Sequence, residues 1–249
     1  VLPSYIVMGS ALNMAGRPDQ AIEVYHKGIK AFPESSLLHY NCAYSYYGKK
    51  DYVNAEKFAI NAIQLNPAHS SSHLILGLTM TSLEQRAKAI LPLYYFLLLE
   101  PDSKRSPGIL KTLNKLLISG IEKKSDGVSI QLPESIYKDS TWSAIETSIS
   151  LSGATRHTET NSSKSDAEFF VENNKTILTI MHELLLNKSD LWSNLYVNKF
   201  YDLLQSNLIE PFSYYISKSE KNPEVSKWVY EKEIKTAKLK DWIDLKLKN

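Results

Sequence analysis

Six histidines, one cysteine and 27 acidic residues are the groups in this 249-residue chain best suited to hold a metal or move a proton. His69 and His73 stand four apart, the interval that puts two imidazoles on one face of a helix and suits metal ligation. A zinc site needs three or four ligands, and no Cys, Asp or Glu follows the pair at ligand spacing, so we read both histidines as structural or surface groups. His182-Glu183 opens like a zinc-protease helix, but the second histidine would fall at 186, which is Leu186. Glu183 and Glu172 are read as the solvated face of a helix. Cys42 falls at an apolar core position of a predicted helix, where a thiol is usually inert. Neither a phosphate-cradling glycine loop nor a Gly-x-Ser-x-Gly turn occurs. The chain is expected to be a binding protein and not an enzyme, with no cofactor and no metal.

Composition narrows the binding partners. Apolar residues make up 43% and charged residues 22%, close to globular averages, so a mainly disordered or fibrous chain is excluded. A formal net charge of +2, with the basic residues scattered, gives no field to hold nucleic acid or an anionic membrane. A lone cysteine excludes a disulfide framework within the chain. The longest apolar stretch, Leu91 to Leu99, is too short to span a bilayer and carries Pro92. The first residue is Val1 rather than Met, which we read as processing or trimming. Removal of a signal peptide is one explanation, so exported or periplasmic placement is expected over cytoplasmic.

The elements that position these side chains follow from a repeat. Pro33, Pro67 and Pro101 stand 34 residues apart, as do Ala21, Ala55 and Ala89, and as do the small residues Gly9, Ala43 and Gly77. With Leu2, Ser36 and Ser70 as first positions, the fourth holds Tyr5, His39 and His73, the seventh Met8, Cys42 and Leu76, and the eleventh Leu12, Tyr46 and Met80. These are expected to face the partner helix. The ladder of small residues at the eighth position and the alanine ladder let two helices approach, and each proline ends the second helix of its pair. Gly16-Arg17-Pro18-Asp19 and Gly48-Lys49-Lys50-Asp51 supply turns; Ser82-Leu83-Glu84-Gln85 lacks the glycine. Pro92 predicts a kink or a late start in the third repeat's second helix.

In period and residue types, residues 2 to 102 resemble the tetratricopeptide-repeat (TPR) family. The resemblance implies an all-α fold, a TPR-like superhelix of three helical hairpins over about 2–35, 36–69 and 70–103. Tyr25 suits the family's aromatic twenty-fourth position, whereas Ala59 and Leu93 depart from it. A helix over 107–120 is expected to cap the third repeat, closing a TPR domain of 1–120. Ligands of the family commonly lie in the groove lined by the first helices of the hairpins. Here that implies Ile6, Ser10, Asn13, Met14, Leu37, Tyr40, Tyr44, Tyr47, Leu74, Leu78 and Thr81, an apolar and tyrosine-rich surface. Of the family's carboxylate-clamp residues only Asn41 is matched; Ile6, Ser10, Ser71 and Ile75 occupy the others, so a carboxylate clamp is not expected. Tyr40, Tyr44 and Tyr47 at i, i+4 and i+7 share one helix face and are either core or binding surface.

Residues 121–249 are expected to form a separate helical bundle, after a turn and an extended segment over 121–138. All four tryptophans lie there and no glycine follows Gly153. Helices are predicted over about 140–151, 165–187, 190–206, 208–218 and 223–247, with a loop from Ala154 to Ser165. Segments such as Trp192 to Tyr201 resemble helical extensions of bacterial TPR proteins. The functional reading is a scaffold that binds a protein or peptide through the tyrosine-rich face. The alternatives are a homodimeric assembly protein, or a small-ligand or enzymatic site at the junction of the repeats with the C-terminal region.

Overall fold

A computed structural model describes residues 1–125, 127–132, 139–186, 188 and 191–247. Part of the extended segment, 133–138, and the predicted helix ends at 187 and 190 lie outside the described residues. The chain divides into two compact units, Val1–Gln85 and Arg86–Asn249. The repeat register assigns the helix after Gln85 to the third hairpin, while packing groups it with the C-terminal helices. Among the described residues the fold is all-α apart from one two-stranded hairpin.

The first unit holds α1 (Leu2–Met14), α2 (Pro18–Ala31), α3 (Ser36–Gly48), α4 (Tyr52–Leu65) and α5 (Ser70–Ser82). Helices α1 and α2 pair, as do α3 and α4, and α5 packs on both α3 and α4. The starts are encoded locally. The side chains of Ser35 and Asp51 accept from the backbone N–H groups of Leu38 and Asn54 at the N-termini of α3 and α4. Helices α2 and α4 end two residues before Pro33 and Pro67, as the proline ladder predicts. Gly9 is buried against Tyr25 so closely that a Cβ there would sit 2.3 Å from the ring. In the second hairpin the same two positions are Ala43 and Ala59, both fully buried, so the lost aromatic is matched by a methyl group on the facing helix.

The turns that follow α1, α3 and α5 repeat with the sequence. Gly16, Lys50 and Glu84, 34 residues apart, all adopt the left-handed conformation, with φ of 71°, 61° and 57°. The next residue in each case, Arg17, Asp51 or Gln85, donates its N–H to the carbonyl of Leu12, Tyr46 or Met80. This is a Schellman closure, which satisfies a helix-end carbonyl. Only the first turn has a glycine where the left-handed residue falls. Gly48 instead ends α3, two residues too early.

One expectation about the first unit fails. Cys42 and Leu76 are fully buried at the seventh position, but Met8 is 58% exposed. Helices α3 and α5 also pack on the hairpin before them, which α1, the first described helix, lacks.

The second unit is built around α6 (Arg86–Leu99), buried on nearly its whole circumference from Ala89 to Leu98. A helix apolar on all sides belongs inside a bundle. It starts at Arg86 and runs through Pro92, so the late start suggested by that proline does not occur; packing on every side holds the helix despite the missing N–H. Around it lie α7 (Ser106–Ile118), β1 (Ile121–Lys124), β2 (Gly127–Ile130), α8 (Ser140–Ala154), α9 (Glu159–Ser162), α10 (Asp166–Leu185), α11 (Asn198–Gln205, preceded by a π turn at Ser193–Val197), α12 (Ile209–Ile216), α13 (Pro223–Glu231) and α14 (Glu233–Lys246). Strands β1 and β2 pair antiparallel, Ile121 opposite Ile130. Helix α7 packs on α6 but is itself covered by α8 and the turn at Lys218–Glu220, so it does not end a stack as a cap would. The single helix expected over 223–247 is broken at Lys232.

Two polar networks hold this unit. Arg86 and Glu146 are 4% and 3% exposed. Arg86 Nε donates to Glu146 Oε2 at 2.7 Å, and its other nitrogens donate to Ser119 O, Glu146 O and Ser150 Oγ. Glu146 Oε1 accepts the N–H of Ala87, so the carboxylate also meets the positive N-terminal end of α6. Asn174, fully buried, accepts from Tyr94 and donates to Ser213, which ties α10 to α6 and α12.

Candidate functional site

The chemical candidates resolve into structure. His39 and His73 each hydrogen-bond through Nε2 to the carbonyl of the proline six residues earlier, Pro33 at 3.0 Å and Pro67 at 2.8 Å. The fourth repeat position is thus a latch onto the loop that closes the preceding hairpin. His69 sits at the N-terminal boundary of α5, bonded through Nδ1 to Ser72 Oγ, and its ring meets Tyr40 edge-on at 4.8 Å. No cluster of three or more potential metal ligands occurs among the described residues. Burial pushes the Cys42 thiol up to about 12, so at neutral pH it carries almost no thiolate. His182 stacks flat on Tyr201 with ring centroids 3.5 Å apart. The tryptophans are packed as well: Trp228 lies flat on Tyr214 and donates to Glu210, and Trp242 donates to Asp202.

The expected groove residues lie on α1, α3 and α5, all within Val1–Gln85. Along α3, Leu37 is 43% and Tyr44 53% exposed, with Tyr40 and Asn41 half-buried between them. Residues 37, 41 and 44 follow the i, i+4, i+7 spacing of a single helix stripe. Tyr40 and Tyr44 lie together, ring centroids 6.5 Å apart. Tyr47 leaves the stripe, tilting against Tyr52 at the start of α4, 5.7 Å between centroids. Leu74 and Leu78 on α5 and Ile6 on α1 are half-buried flanks.

Two polar residues expected in the groove are engaged by the scaffold. Asn13 donates from Nδ2 to Ser45 Oγ at 2.8 Å, bridging α1 to α3, and the Ser45 hydroxyl donates to the Asn41 carbonyl. Ser10 bonds the buried Tyr25 hydroxyl at 3.3 Å. Burial raises the Tyr25 pKa, so that hydroxyl remains protonated. The Asn41 side-chain amide makes no hydrogen bond to another described residue. It stands on the same helix as Leu37, Tyr40 and Tyr44. The position of Tyr47 was not legible from helix spacing, because its orientation depends on Tyr52 across the turn.

Hairpins at a 34-residue period, closed by left-handed turns and latched to the prolines, define an array of tetratricopeptide repeats. Two mammalian proteins match part of the chain. The chain is 32% identical over 104 residues to RNA polymerase II-associated protein 3 of Mus musculus, which covers 42% of this chain and 16% of that protein. It is 29% identical over 111 residues to WD and tetratricopeptide repeats protein 1 of Homo sapiens, covering 43% of this chain and 16% of that protein. The chain thus spans only a small part of the length of either relative. A solved structure, the first TPR of Spaghetti (RPAP3) bound to the HSP90 peptide SRMEEVD, is 25% identical with a TM-score of 0.44, covering 46% of this chain and 89% of that one. No family model matches the chain. The relatives are mammalian, so the bacterial resemblance of the tail has no counterpart among them. No helix among the described residues is long and apolar enough to cross a membrane.

Proposed function

We propose that the chain is a protein-interaction scaffold that binds a peptide segment along α3, with Leu37, Tyr40 and Tyr44 as apolar anchors and Asn41 as the backbone-reading amide. The observation that carries the reading is the exposure of Tyr44 and Leu37 on the stripe that also holds the unengaged Asn41 amide. Large side chains left half in water beside a donor and acceptor are what an interface hot spot requires. An asparagine amide offers one donor and one acceptor edge to a peptide bond. The expected groove positions carry no lysine or arginine, so a terminal carboxylate would be buried without a counter-charge. The partner is therefore an internal or apolar-anchored segment. Ile6, Leu74 and Leu78 line its path on either side.

The test is a peptide-display selection on the purified chain, followed by affinity measurement. Tyr44→Ala should weaken the selected peptides roughly 30-fold or more, the range of a hot-spot tyrosine. The melting temperature should move by no more than about 2 °C, as expected for a surface substitution. Selected peptides that bind Tyr44→Ala and Leu37→Ala as tightly as wild type would show that they dock elsewhere.

A further inference from the structure

Inside the Arg86–Asn249 unit lies a cavity of about 380 Å³, within the size range of small-molecule sites. Leu117 of α7, Ile121 of β1, Phe169 of α10 and Val225 of α13 give it an apolar body. At its wall, Gly153 lets α8 approach α7: a Cβ there would stand 2.7 Å from the Leu117 carbonyl oxygen. Asn173 is the one lining side chain at once polar, non-hydroxylic and buried, at 4% exposure. Its Oδ1 accepts from Ser152 Oγ at 2.5 Å, which orients the amide. Its Nδ2 has no partner among the described residues.

The neighbouring asparagine sharpens the contrast. Asn174 is fully buried and uses both ends of its amide, on Tyr94 and Ser213. Asn173 lines the cavity and its Nδ2 is not sealed into the packing, so a group that enters there can accept its hydrogen bond. The lining arginine is already engaged. Arg156 pairs with Asp166 at 2.9 Å, donates to the Asn161 carbonyl, and lies over the Phe169 ring at 5.4 Å. Glu220 adds a second carboxylate, so no uncompensated cation is present to hold an anion.

We propose that this cavity binds a small, uncharged, mainly apolar molecule bearing a carbonyl-type acceptor, which receives the hydrogen bond from Asn173 Nδ2. The apolar walls supply affinity and the amide sets orientation. The proposal is independent of the α3 stripe, which lies in the other unit.

Prodan, an uncharged naphthalene ketone whose emission shifts to the blue in apolar surroundings, is the probe. Titrated into the full chain it should bind saturably at one site with a blue shift. Ala167→Trp, which fills the cavity from α10, should weaken binding at least about tenfold, since an occupied cavity cannot take the probe. Asn173→Leu, which keeps the volume and removes the donor, should weaken it about 3- to 10-fold, the worth of one hydrogen bond. Non-saturable binding, or wild-type affinity in Ala167→Trp, would overturn the proposal and leave a water-filled cavity only. Should Ala167→Trp not melt cooperatively, amide chemical shifts of the wild type decide. Prodan-induced shifts at Leu117, Asn173 and Val225 support the site, and shifts confined to Leu37, Tyr40 and Tyr44 refute it.

Discussion

Replacing Glu146 by leucine removes a carboxylate that accepts from Arg86 Nε and from the Ala87 N–H, and leaves both donors in a site where Arg86 is 4% exposed. Arg86→Met leaves the opposite fault, a buried carboxylate without its cation. Breaking a buried pair from one side costs about 3–5 kcal/mol, most of it the desolvation of the abandoned charge. For a chain of this length, each kcal/mol moves the melting temperature by about 2–4 °C, so either single variant should melt about 6–20 °C lower. The double variant Arg86→Met/Glu146→Leu removes both charges together and should recover much of that loss, to within about 1–2 kcal/mol of wild type. Differential scanning calorimetry of the four proteins gives the coupling energy, the summed single losses less the double loss, expected at about 4–9 kcal/mol. High salt should barely alter it, because solvent ions do not reach a pair this buried. Single-variant losses below about 1 kcal/mol, or strictly additive losses, would refute the assignment of this pair as the link between α6 and α8.

Two further perturbations probe the turns and the acid limb of stability. Lys50 and Glu84 hold the left-handed conformation at a cost of ~1–2 kcal/mol each, against ~0.5–1 kcal/mol of chain entropy for a glycine. Lys50→Gly should thus stabilise by about 0.5–1 kcal/mol, read as a rise in the urea midpoint. Combined with Gly48→Ala, whose new Cβ meets nothing within 4 Å, the gain should grow. An unchanged or lower midpoint would show that the two turns are not limited by this strain. At Glu210, burial alone would raise the pKa, but hydrogen bonds from Lys235 and Trp228 outweigh it and hold the carboxyl below its usual 4.5. Its contribution is therefore complete above about pH 4.5 and is lost as pH falls through the lower folded value. Glu210→Gln should flatten the stability curve in that acid window and leave its slope at neutral pH unchanged. A wild-type slope in the variant below pH 4.5 would reject the assignment.

The repeat was legible in the sequence because it rests on short-range constraints. Prolines 34 residues apart stop helices wherever they stand, Ser35 and Asp51 cap from their own turn, and Gly9 and Ala21 keep two helices of one hairpin close. The stripe of Leu37, Asn41 and Tyr44 follows from the same local geometry, since spacing on a helix places side chains on a face without reference to anything distant. The tertiary structure decided what those faces meet. Met8 shares its register with Cys42 and Leu76, yet lies in water because α1, the first described helix, lacks a hairpin before it. Tyr47 left the stripe for Tyr52, and Asn13 was taken up by Ser45, across 32 residues of chain. Arg86 and Glu146 are 60 residues apart, and nothing in either neighbourhood names the other. The same holds for Asn173 and Asn174, adjacent and chemically identical, of which one is satisfied at both ends and the other faces a cavity. Local sequence determines which conformations a segment prefers; which buried donor finds an acceptor depends on where distant helices come to rest.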